Sequence, residues 1–181
     1  GLNTYKEKRE IQRMEEAIQT LVKSTVIKTG EDAFRKIVSS VREWLVTDFV
    51  CIGEIIEGSN VRSLSMIINE EFKCGCISNI QETLCETVIK EGFCHYPKGA
   101  GNLLPAPCKQ CTNIDAEGFF GMSLRDESGK SIGLLWTASS KKLTLPPRTI
   151  EVMEIITAKA ASELERMWIE EQLHKLSHAV E

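Results

Sequence analysis

The spacing of apolar residues changes twice along the chain, and this change most constrains the fold. Near the N-terminus, apolar residues recur every three or four positions, as on one face of an α-helix. The central part instead contains short, nearly continuous apolar runs separated by turn residues, which is typical of buried strands. Helical spacing returns after Pro147 and continues to the end. Helices on either side of a set of strands predict an α+β fold.

Four of the central apolar runs predict an antiparallel sheet. Glu57-Gly58-Ser59-Asn60 separates the first two runs, and the segment from Asp126 to Lys130 separates the last two. Turns this short join neighbouring antiparallel strands into hairpins. We expect Trp44 and Met153 to face the core from the flanking helices. The four predicted strands are residues 49–56, 61–68, 118–125 and 131–138.

Three glycines interrupt the last two predicted strands. Gly118, Gly121 and Gly133 stand where a side chain would normally pack on the sheet. A glycine inside a strand usually marks a bulge or the close approach of a neighbour. We therefore expect either a bulge or a close neighbour at these positions.

The helical patterns at the two ends contain narrow apolar stripes. A stripe this narrow suits pairing with a second helix better than packing on a domain core. We expect connecting helices at residues 1–28 and 168–181, a globular domain at 29–167, and a parallel homodimer held by the terminal helices. Alternatively, the N-terminal helix folds back beside the C-terminal helix of the same chain. The stripes are Ile11, Met14, Ile18 and Leu21 at one end, and Ile169, Leu173, Leu176 and Val180 at the other.

Charge and hydropathy exclude several classes of protein. The net charge is −4 and there is no basic block, so binding to nucleic acid is not expected. The longest apolar runs, such as Ile52 to Ile56, are interrupted by charges and fall far short of the roughly 20 residues of a membrane span. The N-terminal residues lack the apolar stretch of a signal peptide. We therefore expect a cytoplasmic protein whose seven cysteines are mostly thiols.

Two pairs of cysteines have spacings that occur in metal sites. Cys74 and Cys76 are separated by one residue, and Cys108 and Cys111 by two. Together these four could supply thiolates to zinc or to an iron–sulfur cluster. The more frequent role of such cysteines is as small apolar residues of the core or loops. The sequence leaves both interpretations open.

The chain lacks the short motifs of common enzyme classes. It contains no phosphate-binding Gly-x-x-x-x-Gly-Lys loop, no Gly-x-Ser-x-Gly elbow and no His-Glu-x-x-His pair. Cys94 and His95 are adjacent, but neighbouring side chains on an extended segment point to opposite faces. These observations predict a non-catalytic domain.

Four motifs follow one another in the central part of the chain. They are Thr83-Leu84-Cys85-Glu86-Thr87-Val88, Cys94-His95-Tyr96-Pro97-Lys98-Gly99, the run from Glu117 to Asp126 and the run from Ser128 to Leu135. This is the order found in one subgroup of GAF domains, which the chain resembles between about residues 31 and 166; the segment from Leu103 to Cys111 departs from the pattern. The resemblance implies an antiparallel sheet with helices on one face, and with loops and short helices enclosing a ligand pocket on the other. That subgroup occurs in multi-domain sensor histidine kinases and related regulators, often beside PAS domains.

The resemblance implies sensing and relay rather than catalysis. A small ligand, or a change in redox or metal state, would alter the domain, and the terminal helices would carry the change to adjacent PAS or kinase domains. The ligand-binding residues expected on this basis are Cys94, Tyr96, Phe119 and Met122. One alternative is a dimerisation and spacer module with an empty pocket. Another is a cysteine-based zinc or iron–sulfur sensor.

Overall fold

The computed structural model describes residues 1–105 and 115–180, and within these ranges it contains four α-helices and seven strands. A single 3-10 turn spans Gly101–Leu103. The helices are α1 (Leu2–Val26), α2 (Gly30–Leu45), α3 (Leu84–Glu91) and α4 (Thr149–Val180). The strands are β1 (Phe49–Ile55), β2 (Asn60–Ile68), β3 (Glu71–Lys73), β4 (Ile77–Asn79), β5 (Phe93–Tyr96), β6 (Gly118–Arg125) and β7 (Ser131–Ser139).

The strands form one sheet in which every pair is antiparallel, as predicted. β1 lies between β2 and β7, and β6 and β5 follow beyond β7. β3 and β4 both pair with the outer edge of β2. The two hairpins expected from the sequence are β1–β2 and β6–β7. The short strands β3, β4 and β5 were not predicted, because three or four residues are too few to show a clear alternation.

One face of the sheet is covered by helices, and we call the cluster beneath them the helix-side core. It contains Phe34 and Ile37 from α2 and Ile156 and Leu164 from α4, all fully buried. The stripe on α2 that predicted this packing is preceded by Glu31 and Asp32, whose negative charge favours the first turn of a helix. Met153 is fully buried and Trp44 packs at the margin, as expected.

The other face carries a second cluster of buried residues, which we call the loop-side core. Leu84, Cys85 and Val88 of α3 cover part of it, together with Ala100 and Leu104 from the segment after β5. The members of this cluster that belong to the sheet include Phe49, Phe119, Leu134, Trp136 and Ala138. Both faces of the central strands are therefore buried, and β6 and β7 accordingly read as continuous apolar runs.

The terminal helices run in the same direction along the domain. Glu15 of α1 meets Arg148 just before α4, whereas Gly30, just beyond α1, meets Glu163 further along α4. The N-terminal half of α1 and the C-terminal third of α4 therefore extend from opposite ends of the domain. No helix in the described ranges combines the length and apolar character needed to cross a membrane.

The N-terminal stripe is divided between two environments. Ile18 and Leu21 pack into the helix-side core, whereas Ile11 and Met14 remain exposed. The expectation that the whole stripe serves a partner helix was therefore wrong for Ile18 and Leu21. The narrow stripe suffices for packing because α1 only fills the margin between α2 and α4.

Candidate functional site

Three of the four predicted ligand-binding residues lie on the loop-side face of the sheet. Cys94 pairs with Gly121, and Tyr96 pairs with Phe119, across β5 and β6. Directly opposed residues of antiparallel strands share a face. Phe119 is fully buried, Cys94 is half-buried, and Tyr96 lies at the rim with 37% of its surface exposed. The structure therefore brings these three side chains to one region.

Met122 lies on the opposite face. It belongs to the helix-side core, where the Thr157 hydroxyl donates a hydrogen bond of 3.5 Å to its sulfur. Residues three apart on a strand point to opposite sides, so Phe119 and Met122 do not line one cavity. Applying this alternation within the motif would have separated the two residues at the sequence level.

Three buried aromatic rings pack against one another on the loop side. The ring centroids of Phe49 and Trp136 are 4.6 Å apart, and those of Phe119 and Trp136 are 5.8 Å apart with planes inclined by 29°. We call Phe49, Phe119 and Trp136 the aromatic platform. They come from β1, β6 and β7, and the alternation on these strands was the signal that could have identified Phe49 and Trp136. All three side chains belong to the buried loop-side core, and a ligand that reached them would meet ring faces, which favour a flat or apolar molecule.

Four of the cysteines in the described residues, Cys51, Cys76, Cys85 and Cys94, belong to or pack against the loop-side core. Burial raises the pKa of the Cys85 thiol well above its ordinary value, and the nearby Cys51 and Cys94 add to the rise. Burial, followed by the charge of Glu91, raises the pKa of Cys94. A thiol whose pKa is raised is protonated at neutral pH, and a neutral thiol is a poor nucleophile.

The predicted metal-binding cysteines are only partly within the described structure. Cys74 is exposed in the link between β3 and β4, whereas Cys76 is buried in the loop-side core. Cys108 and Cys111 lie outside the described residues. Within residues 1–105 and 115–180, no group of three or more histidine, cysteine, aspartate or glutamate side chains is arranged to hold a metal ion. The four-cysteine site therefore stays a prediction.

His95 points to the side away from Cys94, as the adjacency of the two residues predicted. Its Nε2 donates a hydrogen bond of 2.9 Å to the carbonyl oxygen of Leu143. Its ring lies with its edge toward Phe120 of the helix-side core. His95 therefore holds the segment after β7 against the edge of the sheet.

A buried carboxylate connects the sheet to the last part of α4. Glu54 of β1 is 6% exposed, and its side chain lies on the helix side. The indole Nε1–H of Trp168 donates a hydrogen bond of 2.7 Å to Glu54 Oε2. Arg62 of β2 donates to Glu54 Oε1 at 3.3 Å. A buried carboxylate requires hydrogen-bond partners, and these two contacts supply them. The contact from the indole also fixes the position of Trp168 relative to β1.

A second buried carboxylate, Glu163, holds α4 against the start of α2. The backbone N–H of Gly30 donates to Glu163 Oε2 at 2.9 Å, and Lys159 donates to Oε1 at 2.7 Å. Arg166 also donates to Oε2. Burial acts to raise the pKa of Glu163, but the hydrogen bonds from Lys159 and Gly30 and the two positive charges outweigh it, so the pKa is lowered. Glu163 therefore remains ionised and keeps these contacts at neutral pH.

A groove with a volume of about 390 Å³ lies beside Trp168, where α4 leaves the domain. Its walls include Ile132 of β7 and Trp168, Ile169 and Leu173 of α4. Ile169, Leu173 and Leu176 are 59%, 60% and 61% exposed. The C-terminal stripe predicted from the sequence is therefore largely open at these three positions.

Comparison with known proteins gives a fold but no close relative. No protein-family model matches the sequence, and no curated protein matches it. The chain is similar to the GAF domain of an Acinetobacter phosphoenolpyruvate-protein phosphotransferase, with 14% identity and a TM-score of 0.69 over 85% of this chain and 93% of that one. It is also similar to the GAF domain of the phosphotransferase from Coxiella burnetii, with 11% identity and a TM-score of 0.69 over 88% and 96% of the two chains.

A third similar structure is the chromophore-binding domain of an unusual bacteriophytochrome from R. palustris. The identity is 7% and the TM-score is 0.65, over 88% of this chain and 63% of that one. At such low identities the agreement concerns the fold. The order of the strands, the helices on one face and the second core on the other agree with what the sequence motifs implied. The chain has the fold of a GAF domain.

Proposed function

We propose that this chain is a non-catalytic sensory domain that binds a small molecule on its loop side and relays binding through α4. The observation that carries the proposal is the hydrogen bond from Trp168 to Glu54. It joins the helix that leaves the domain to the central strand of the sheet. The other side of that strand contributes Phe49 and Cys51 to the loop-side core.

The proposed ligand is flat or apolar, because a molecule that displaced part of the cover of the loop-side core would meet the ring faces of the aromatic platform rather than charges. Cys94 and Tyr96 border the platform, and Phe119 forms part of it. The Tyr96 hydroxyl can supply a polar contact at the rim.

The proposed relay uses the alternation of side chains along β1. A ligand pressing on Phe49 shifts the strand, and a shift of the strand moves the Glu54 carboxylate on the opposite face. Trp168 follows because its indole N–H donates a hydrogen bond of 2.7 Å to that carboxylate. A ligand that favours one position of β1 would then bias one position of α4.

The terminal helices support a place between two neighbouring domains. They extend from opposite ends of the domain, which supports the predicted division into connecting helices at residues 1–28 and 168–181 and a domain at 29–167. On the sequence resemblance, the neighbours would be PAS or kinase domains of a cytoplasmic signalling protein such as a histidine kinase. Because α1 and α4 run in the same direction along the domain, a displacement at the start of α1 would pass along them to the end of α4.

Retention of a small molecule tests the proposed ligand site. We expect native mass spectrometry to show a bound mass on the chain after incubation with a bacterial metabolite extract, and its loss on denaturation. Phe119→Leu should weaken retention about tenfold, because it removes one ring of the platform. Met122→Leu is the matched control, since it alters the same strand on the opposite face. Equal effects of the two substitutions, or no retained mass on the wild-type chain, would contradict the site.

A second candidate function is dimerisation through the exposed stripe on α4. Ile169, Leu173 and Leu176 are largely exposed, and burying one such side chain is worth about 1.5–3 kcal/mol. A parallel pairing of two copies would bury these side chains and would place the C-terminal ends of both α4 helices at the same end of the dimer. This role is compatible with sensing, and alone it would make the chain a spacer.

Sedimentation equilibrium tests the dimer. We expect the wild-type chain to associate and the double variant Ile169→Glu with Leu173→Glu to be monomeric. The control is Ile155→Glu, which places the same charge on a half-exposed residue of α4 outside the stripe. If the double variant and the wild type sediment as the same species, the stripe does not mediate association.

A further inference from the structure

Two of the three histidines lie one turn apart near the end of α4, and we infer that they form a binding site for a divalent transition metal ion. His174 and His178 are four residues apart, so their side chains lie on the same face of the helix. Their Nε2 atoms are 2.9 Å apart. The ring centroids are 4.2 Å apart and the planes are nearly perpendicular. Both side chains are exposed to solvent.

The two nitrogens lie close enough together to bind one ion. Imidazole nitrogen suits zinc, copper and nickel, at a bond length of about 2.1 Å for zinc. At that length two ligand nitrogens are about 3.0 Å apart at a right angle around the ion and about 3.4 Å apart in tetrahedral positions. The pair is 2.9 Å apart as a hydrogen-bonded pair, so a small change in the side chains reaches either geometry. Among divalent ions Ni²⁺ and Cu²⁺ have a high affinity for imidazole ligands.

Binding requires one change in the protonation of the pair. At a separation of 2.9 Å, one imidazole donates a hydrogen bond to the other through their Nε2 atoms. An ion between them needs a lone pair from each Nε2, so the proton they share must move to Nδ1 or to solvent. The helix already fixes both side chains on one face, and little backbone movement is needed.

The site is open and depends on both histidines. Within the described residues no third histidine, cysteine or carboxylate joins the pair in an arrangement that could hold an ion. Two ligands on one helix hold an ion less tightly than the three or four protein ligands of a closed site. His174 and His178 also lie beside the stripe of Ile169, Leu173 and Leu176 rather than within it. The site is therefore independent of the proposed dimer and of the proposed ligand site.

Paramagnetic Ni²⁺ is the probe that locates this site. We expect titration of the intact chain with Ni²⁺ to broaden amide signals of residues 172–180 selectively in heteronuclear NMR spectra. Either His174→Gln or His178→Gln should weaken binding at least about tenfold, because the second ligand acts at a high effective concentration. Glutamine retains the helix propensity of these positions.

His95→Gln is the matched control, because it removes the third histidine and leaves the pair intact. It should bind Ni²⁺ as the wild type does. Broadening centred on Cys74 or elsewhere in the domain would overturn the inference. Single variants of His174 and His178 with wild-type affinity would overturn it equally.

Discussion

Replacing Gly133 with alanine is expected to destabilise the domain by about 3 kcal/mol or more. A Cβ atom at this position would lie 2.4 Å from the backbone oxygen of Gly53 in the neighbouring strand. Backbone in the centre of a sheet cannot move aside without breaking ladder hydrogen bonds. Gly133 also lies directly opposite Glu54, on the strand pair that positions the buried carboxylate. Urea unfolding of the wild-type and variant chains measures the loss.

The graded control for this prediction is Gly121→Ala. A Cβ atom there would lie 2.7 Å from a methyl group of the Val88 side chain. A side-chain methyl group can move aside more easily than the backbone of a neighbouring strand. We expect a cost of about 1–2 kcal/mol. If Gly133→Ala costs no more than Gly121→Ala, the close contact between β1 and β7 is not as tight as the structure indicates.

Trp168→Phe is expected to cost about 1.5–3 kcal/mol, because it removes the N–H that donates to Glu54. The carboxylate would then be buried with Arg62 as its partner and without the 2.7 Å hydrogen bond. Trp44→Phe is the matched control, since it removes an indole N–H from another tryptophan at the margin of the same core. It should cost less than Trp168→Phe in urea unfolding.

A double-mutant cycle separates the hydrogen bond from the packing of the ring. In the Trp168→Phe variant the buried carboxylate of Glu54 lacks its indole partner, and Glu54→Gln removes that charge. The loss of unfolding free energy caused by Glu54→Gln should therefore be at least about 1 kcal/mol smaller in the Trp168→Phe background than in the wild type. Identical costs in both backgrounds would show that Trp168 acts through packing alone.

The hairpins and the helix faces could be predicted from the sequence because each depends on residues close together in the chain. The pairing of β1 with β2 and of β6 with β7 follows from apolar runs and short turns, whereas the register shifts at Ile52/Gly53 and Leu124/Arg125 do not. The positions of Gly118, Gly121 and Gly133 also predicted bulges or close neighbours. A Cβ atom at each would lie within 3.0 Å of Leu143, Val88 and Gly53, respectively.

The rest depends on contacts that local patterns do not contain. Glu54 and Trp168 are 114 residues apart, and in the sequence Glu54 only interrupts an apolar run. The placement of Ile18 and Leu21 depends on a margin between α2 and α4 that exists only in the folded domain. Met122 differs, because the period of two along β6 would have placed it opposite Phe119. The motif resemblance identified the region of the site but not the direction of each side chain.

The coupling free energy between Phe119 and Trp168 tests the relay most directly. These residues lie on opposite faces of the sheet, one in the platform and the other on α4. We would measure the unfolding free energies of Phe119→Leu, Trp168→Phe and the double variant. The same cycle with Ile169→Ala, an exposed neighbour of Trp168, is the control and should be additive. The account predicts a coupling of about 1 kcal/mol for the first cycle. Additivity of that cycle within about 0.5 kcal/mol would contradict a relay through the sheet to α4.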